Sequence, residues 1–177
     1  TLEPDEIEAL IGLSQTYAQQ QRLDNALGVI ERALRVAPGN LEVLRCKADI
    51  LAWSNRYSEA EDLYQNLLKR TPQRAEIYHS IGDLNGWEGK FPQSIEAFRN
   101  AEELEPTNIQ HLVSLGRVAL LGGLHGDAKY AIQKIFALDP GNAQAFEMLR
   151  DLEALDSMDY ARIVEGYIEP VAIVSVL

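Results

Sequence analysis

Apolar residues recur three and four apart along most of the chain, the spacing of helices that bury one stripe. The stripe itself returns every 34 residues. With starts at Ile7, Leu41, Ala75 and Ile109, the fourth position is Leu10, Leu44, Tyr78 and Leu112. The seventh and eighth are Leu13-Ser14, Lys47-Ala48, Ile81-Gly82 and Leu115-Gly116. The eleventh is Tyr17, Leu51, Asn85 and Ala119. The twentieth is Ala26, Ala60, Ser94 and Ala128, the twenty-fourth Ile30, Tyr64, Phe98 and Ile132, and the twenty-seventh Ala33, Leu67, Ala101 and Ile135. Each period predicts two helices, with the small eighth and twentieth residues letting them approach closely.

The punctuation keeps the same phase. Pro38, Pro72, Pro106 and Pro140 follow the second helix of each period, where proline cannot continue the hydrogen-bond ladder. Gly39-Asn40, Thr107-Asn108 and Gly141-Asn142 supply turn and capping chemistry before the next helix. Ser54-Asn55, Glu88-Gly89 and Gly122-Gly123 predict the short turns inside periods.

These positions resemble the tetratricopeptide repeat pattern W-x2-L-G-x2-Y…A-x3-F…P, from Ile7 to Asn142. The departures are Lys47 where an apolar core residue belongs, Asn85 for an aromatic, and no Trp at the fourth position. The resemblance implies an all-α, right-handed α-solenoid of antiparallel helix pairs. Its expected units are 7–40, 41–74, 75–108 and 109–142 within residues 1–142. Residues 143–169 read as a degenerate C-terminal capping helix pair. There Phe146 and Leu149 keep the pattern, Arg150 and Glu153 break it, and a second helix is expected over about 158–168. Residues 170–177 form an apolar tail, either a strand-like extension or the cut edge of a longer protein, the latter favoured because a free apolar end is a liability.

Charge narrows the partners. A formal net charge of −11 and a pI of about 4.7 argue against nucleic acid and anionic lipid, and suit a basic partner. Cys46 is the only cysteine, so no internal disulfide forms, which is compatible with cytoplasm or bacterial periplasm. No segment approaches the ~18 apolar residues that read as a membrane span. The start at Thr1, without a signal peptide, fits a processed or excised chain.

Enzymatic motifs such as HExxH, G-x-S-x-G and the Walker loop are absent, and no catalytic residue, cofactor or metal is expected. Glu76, His79 and Asp83 share a helix face, a weak metal spacing better read as solvated polarity. The resemblance implies that positions two, five, nine and twelve of each first helix line a concave groove. These are Glu8, Ile11, Gln15 and Ala18; Glu42, Arg45, Asp49 and Ala52; Glu76, His79, Asp83 and Gly86; and Gln110, Val113, Arg117 and Leu120. The basic clamp with which some family members hold chaperone C-termini is missing, because its sites carry Ile11, Gln15, Cys46, Glu76 and Ser80.

One feature repeats beyond the family pattern. Asp49 and Trp53 stand four apart, as do Asp83 and Trp87, and the pairs are 34 residues apart. At about 100° per residue each indole lies one turn beyond its carboxylate. Such a pair could anchor a peptide, stack on a sugar or hold a cation; alternatively each Trp packs into the adjacent helix. The stretches at 52–57 and 86–91 also look like repeat arrays of bacterial envelope proteins, some of which precede an outer-membrane β-barrel and help export polysaccharide. The expected groove set is Arg45, Asp49, Trp53, Glu76, His79, Asp83, Trp87 and Arg117. Two functions follow: a non-enzymatic scaffold for a basic protein or peptide, or a periplasmic module of a polysaccharide export apparatus. Self-association through exposed solenoid ends is open in either reading.

Overall fold

A computed structural model describes residues 4–155, and the expected second capping helix and the apolar tail lie outside them. The described residues form nine α-helices and no strand: α1 (Pro4–Gln19), α2 (Leu23–Val36), α3 (Leu41–Trp53), α4 (Tyr57–Arg70), α5 (Ala75–Trp87), α6 (Phe91–Leu104), α7 (Ile109–Leu121), α8 (His125–Leu138) and α9 (Ala143–Leu155). The chain divides into two compact units, one ending at Glu88 and one beginning at Gly89.

Helix ends follow from local chemistry. The Asn40 side chain accepts from the Glu42 and Val43 amides at 3.0 and 3.1 Å, opening α3. Asn108 caps α7 through the Gln110 amide at 3.1 Å, and Asn142 caps α9 through Ala145 at 3.1 Å. Each satisfies amides that a helix start leaves without intrahelical acceptors. Ala37, Thr71, Glu105 and Asp139 stop α2, α4, α6 and α8, and each precedes a proline that disfavours continued helix.

The turn inside each period has its own device. Gln21, Asn55, Gly89 and Gly123 all take positive φ, at 61°, 58°, 72° and 66°. The next amide reaches back five residues: Arg22 to the Tyr17 carbonyl and Arg56 to Leu51 at 2.9 Å, Leu124 to Ala119 at 2.8 Å. This is the Schellman closure of a helix C-terminus. Asn55, Gly89 and Gly123 suit the left-handed region, whereas Gln21 occupies it against its own preference.

In the first unit α1 packs on α2, α2 on α3, α3 on α4 and α4 on α5, with α1 and α5 also meeting α3. Ile30, Ala33, Val43, Cys46 and Ile50 form its core with Ala18 and Ala26. In the second, α7 packs on α6, α8 and α9 around Phe98, Leu112, Leu115, Ile132 and Ile135. The small eighth and twentieth positions are fully buried where they carry Ser14, Ala48, Ala26, Ala60, Ser94 and Ala128, all at 0% exposure. At Gly116 an added Cβ would lie 2.7 Å from the Met148 sulfur and 3.2 Å from the Ala131 Cβ, so any larger residue there must displace Met148.

Two expectations about the core need correction. Leu13, at the seventh position, is 43% exposed. Lys47, one period later, points its ammonium at Glu31 across 3.6 Å. At Leu13 and Lys47 the seventh position faces outward enough to hold a charge, whereas Ile81 at the same position is buried, so Lys47 is no packing defect. In α9, Leu149 is buried, while Phe146 remains half exposed against Phe136 with ring centroids 4.9 Å apart.

Candidate functional site

The ninth and thirteenth positions of α3 and α5 face one cleft in the first unit. Asp49, Trp53, Ser80, Asp83 and Trp87 line it with Tyr64 from α4, around a volume of about 100 Å³. Both indoles are about half exposed, Trp53 at 44% and Trp87 at 49%. Neither indole is fully buried against an adjacent helix. The register that puts them one turn past the carboxylates leaves them at the lip.

The two aspartates differ in circumstance. Asp49 is sunk, its side chain 15% exposed. Its Oδ1 accepts from the Tyr64 hydroxyl at 2.6 Å and the Ser80 hydroxyl at 3.1 Å, and its Oδ2 from Arg45 Nη1 at 2.8 Å. The second Arg45 Nη donates to Glu42, while its buried Nε has no acceptor among the described residues. The expected solvated groove carboxylate is thus the hub of a network joining α3, α4 and α5. The sequence concealed this because Tyr64 occupies a core position and its hydroxyl reaches Asp49 across fifteen residues.

Burial pushes Asp49 upward in pKa, against the pull of Arg45 and the Tyr64 and Ser80 hydrogen bonds. Burial also raises the Tyr64 phenol, aided by the adjacent Asp49 charge. Burial works against the Arg45 charge, but its hydrogen bond to Glu42 and the charges of Asp49 and Glu42 outweigh that, so the guanidinium stays cationic. The Arg45 hydrogen bond holds Glu42 below its usual value.

Asp83 is the opposite case, with a side chain 39% exposed. Among the described residues its carboxylate accepts no hydrogen bond, and the His79 ring stands near it, Nε2 at 3.7 Å. Burial first, then the Asp49 charge, pushes its pKa up to about 6. The cleft therefore holds one carboxylate fully engaged and one with both oxygens open, between two wet indoles.

The other expected residues fall apart from this centre. Glu76 pairs with Arg74 at 3.6 Å, and Arg74 also faces Glu42 at 3.7 Å. No group of three His, Cys, Asp or Glu among the described residues is arranged to hold a metal, and Glu76, His79 and Asp83 are no exception. Arg117 belongs to the second unit, where it lines a cleft of about 310 Å³ with Leu120, Leu121, Gln144, Glu147, Met148 and Asp151. Ala18, Ala52 and Val113, expected along a concave face, are 4%, 1% and 2% exposed and belong to the core. Cys46 is 2% exposed, its sulfur 3.6 Å from the Ser14 hydroxyl, and burial raises its pKa, which disfavours the reactive thiolate.

Comparison with known proteins bears on this arrangement. A family model described as tetratricopeptide repeat matches residues 17–82. No curated protein sequence matches the chain. The fold is similar to that of a tetratricopeptide repeat protein from Parabacteroides merdae, at 18% identity and a TM-score of 0.70, covering 93% of this chain and 66% of that one. It is similar to Pseudomonas aeruginosa pilF at 18% identity and a TM-score of 0.73, over 92% of this chain and 76% of that one. It is also similar to MamA from Desulfovibrio magneticus RS-1 at 17% identity and a TM-score of 0.71, over 94% and 93% of the two chains. Repeats of this kind generally mediate protein–protein interaction. The 34-residue register, the antiparallel helix pairs and these matches together give the chain the tetratricopeptide repeat fold, with residues 17–82 matching the family's own model.

Proposed function

We propose that the chain is a non-enzymatic scaffold that holds a basic segment of a partner protein against α3 and α5, with Asp83, Trp53 and Trp87 as its anchor point. The carrying observation is the Asp83 carboxylate, which accepts no hydrogen bond among the described residues and stands beside two half-exposed indoles. A carboxylate partly withdrawn from water gains from a cation, and half-exposed indoles add apolar contact and a π face to it. The acidic net charge favours the same class of partner.

Isothermal titration of the chain with a lysine- and arginine-rich peptide and its charge-neutral counterpart tests this reading. The basic peptide is expected to bind, to weaken as salt rises, and to lose most of its affinity in Asp83→Asn. Equal binding of both peptides, or indifference to Asp83→Asn, would remove the cleft as the anchor point.

A second reading, a module of an envelope polysaccharide export apparatus, draws on the same exposed indoles and on the stretches at 52–57 and 86–91. It fits equally with the described residues, none of whose helices is long and apolar enough to cross a membrane. It predicts that a neutral oligosaccharide shifts tryptophan emission and does so undiminished in Asp83→Asn. A flat emission titration counts against it.

A further inference from the structure

Resting on the scaffold reading, we infer that the first-unit cleft is selective for arginine: the partner's anchor is a guanidinium paired edge-on with Asp83 and stacked against Trp53 or Trp87. The argument is one of acceptor counting. The Asp49 oxygens are taken, Oδ1 by Tyr64 and Ser80 and Oδ2 by Arg45. That leaves the Asp83 carboxylate as the open acceptor pair among the described residues that line the cleft.

A lysine ammonium presents three donors in a tetrahedral fan and sheds its hydration reluctantly. In this cleft one or two of those donors would point at indole carbon. A guanidinium presents two parallel N–H groups along one edge, matched to both oxygens of one carboxylate. Its faces are weakly hydrated and stack on aromatic rings, and its remaining N–H groups reach water through the open side. Arg45 on Asp49 shows that this fold already pairs a guanidinium with the equivalent carboxylate one period earlier, at 2.8 Å. Size agrees: about 100 Å³ holds about three waters, room for a guanidinium head without its stem.

Trp53 and Trp87 are the only tryptophans, so two indole N–H resonances report on this cleft alone. The test titrates the full chain with the blocked tripeptides acetyl-Gly-Arg-Gly-amide, acetyl-Gly-Lys-Gly-amide and acetyl-Gly-citrulline-Gly-amide. The arginine peptide is expected to move both resonances and to bind about tenfold tighter than the lysine peptide, with citrulline, its uncharged analogue, weaker still. Asp83→Asn, nearly isosteric and partly exposed, should erase the arginine preference while its remaining spectrum stays native. If lysine binds as tightly as arginine and both depend on Asp83, the selectivity is wrong and the acidic anchor survives. If no peptide moves either indole, the selectivity and the anchor fall together.

Discussion

The ninth and thirteenth positions of the first helices build two unlike clefts. In the first unit they are Asp49, Trp53, Asp83 and Trp87. In the second, Arg117 and Leu121 take their places, with Asp151 on α9. Leu121 is 76% exposed, and Arg117 makes no ion pair among the described residues although Glu147 and Asp151 line the same cleft. The repeated backbone fixes where such residues stand, and side-chain choice alone decides whether the place becomes a bonded hub or an open surface. In the first unit the ninth position is both: Asp49 is structural and Asp83 is available.

That contrast is broken most forcefully at the ninth position itself. Asp49→Ala strands the Arg45 guanidinium and the Tyr64 and Ser80 hydroxyls, and breaking a buried charged network costs about 3 kcal/mol. Arg117→Ala removes an exposed side chain without ion partners, for a change within about 0.5 kcal/mol. Urea unfolding of the two variants reads both. Similar losses would mean that Asp49 is no hub.

The eighth position separates the units next. Gly116→Ala drives a methyl group against Met148 and Ala131, and overpacking of this kind costs about 2 kcal/mol. Ala48→Gly, at the same position in the first unit, costs about 1 kcal/mol, from backbone freedom gained by the unfolded chain. If instead Met148 swings aside, Gly116→Ala becomes cheap and its thioether enters the α7–α9 cleft, where a crystal structure of the variant would show it.

A smaller contrast lies in the left-handed turns, where the first unit uses Gln21 and Asn55 and the second uses Gly89 and Gly123. Gly123 has nothing within 4 Å of a built Cβ, so Gly123→Ala tests conformation alone and should cost about 1 kcal/mol. Gln21→Gly should gain about 0.5 kcal/mol, and Asn55→Gly close to nothing, because asparagine tolerates this region. Thermal melts that rank these three otherwise would place the strain elsewhere.

The helices, turns and small-residue contacts were legible because each repeats in phase, so one ambiguous position is corrected by its counterparts one period away. Asn40, Asn108 and Asn142 read directly as caps, and the glycine turns as turns. The Asp–Trp pairs were legible as a pattern, but the sequence left open whether the indoles stand in the cleft or pack into a neighbouring helix. The division of labour between Asp49 and Asp83 was not, since it depends on Tyr64 and Ser80 arriving from other helices. Nor was the inward turn of Ala52 and Val113, set by how closely neighbouring helices approach. Periodicity fixes which face a residue occupies; which polar groups meet across helices is decided by tertiary packing, which the period does not encode.

The subtlest test uses that division. Asp83 has a folded pKa of about 6 against an ordinary aspartate near 4, because burial and the Asp49 charge oppose its ionisation. Between those values the folded chain holds a proton that the unfolded chain has released. The contribution of this group to stability therefore falls as pH rises from about 4 to about 6, and it is largest below that window. A protonated His79, its Nε2 3.7 Å away, would favour Asp83 ionisation. The carboxyl carbon of Asp83, followed by NMR, should titrate near pH 6 in the wild-type chain. Asp49→Asn removes the repelling charge and should bring it down, in whatever fraction of that destabilised variant remains folded. In Asp83→Asn the fall in stability across the window should flatten. An Asp83 that titrates near 4 in the wild type would show that neither burial nor Asp49 opposes its charge. Its attraction for a cation would then rest on its charge and the indoles, without relief of a desolvated carboxylate.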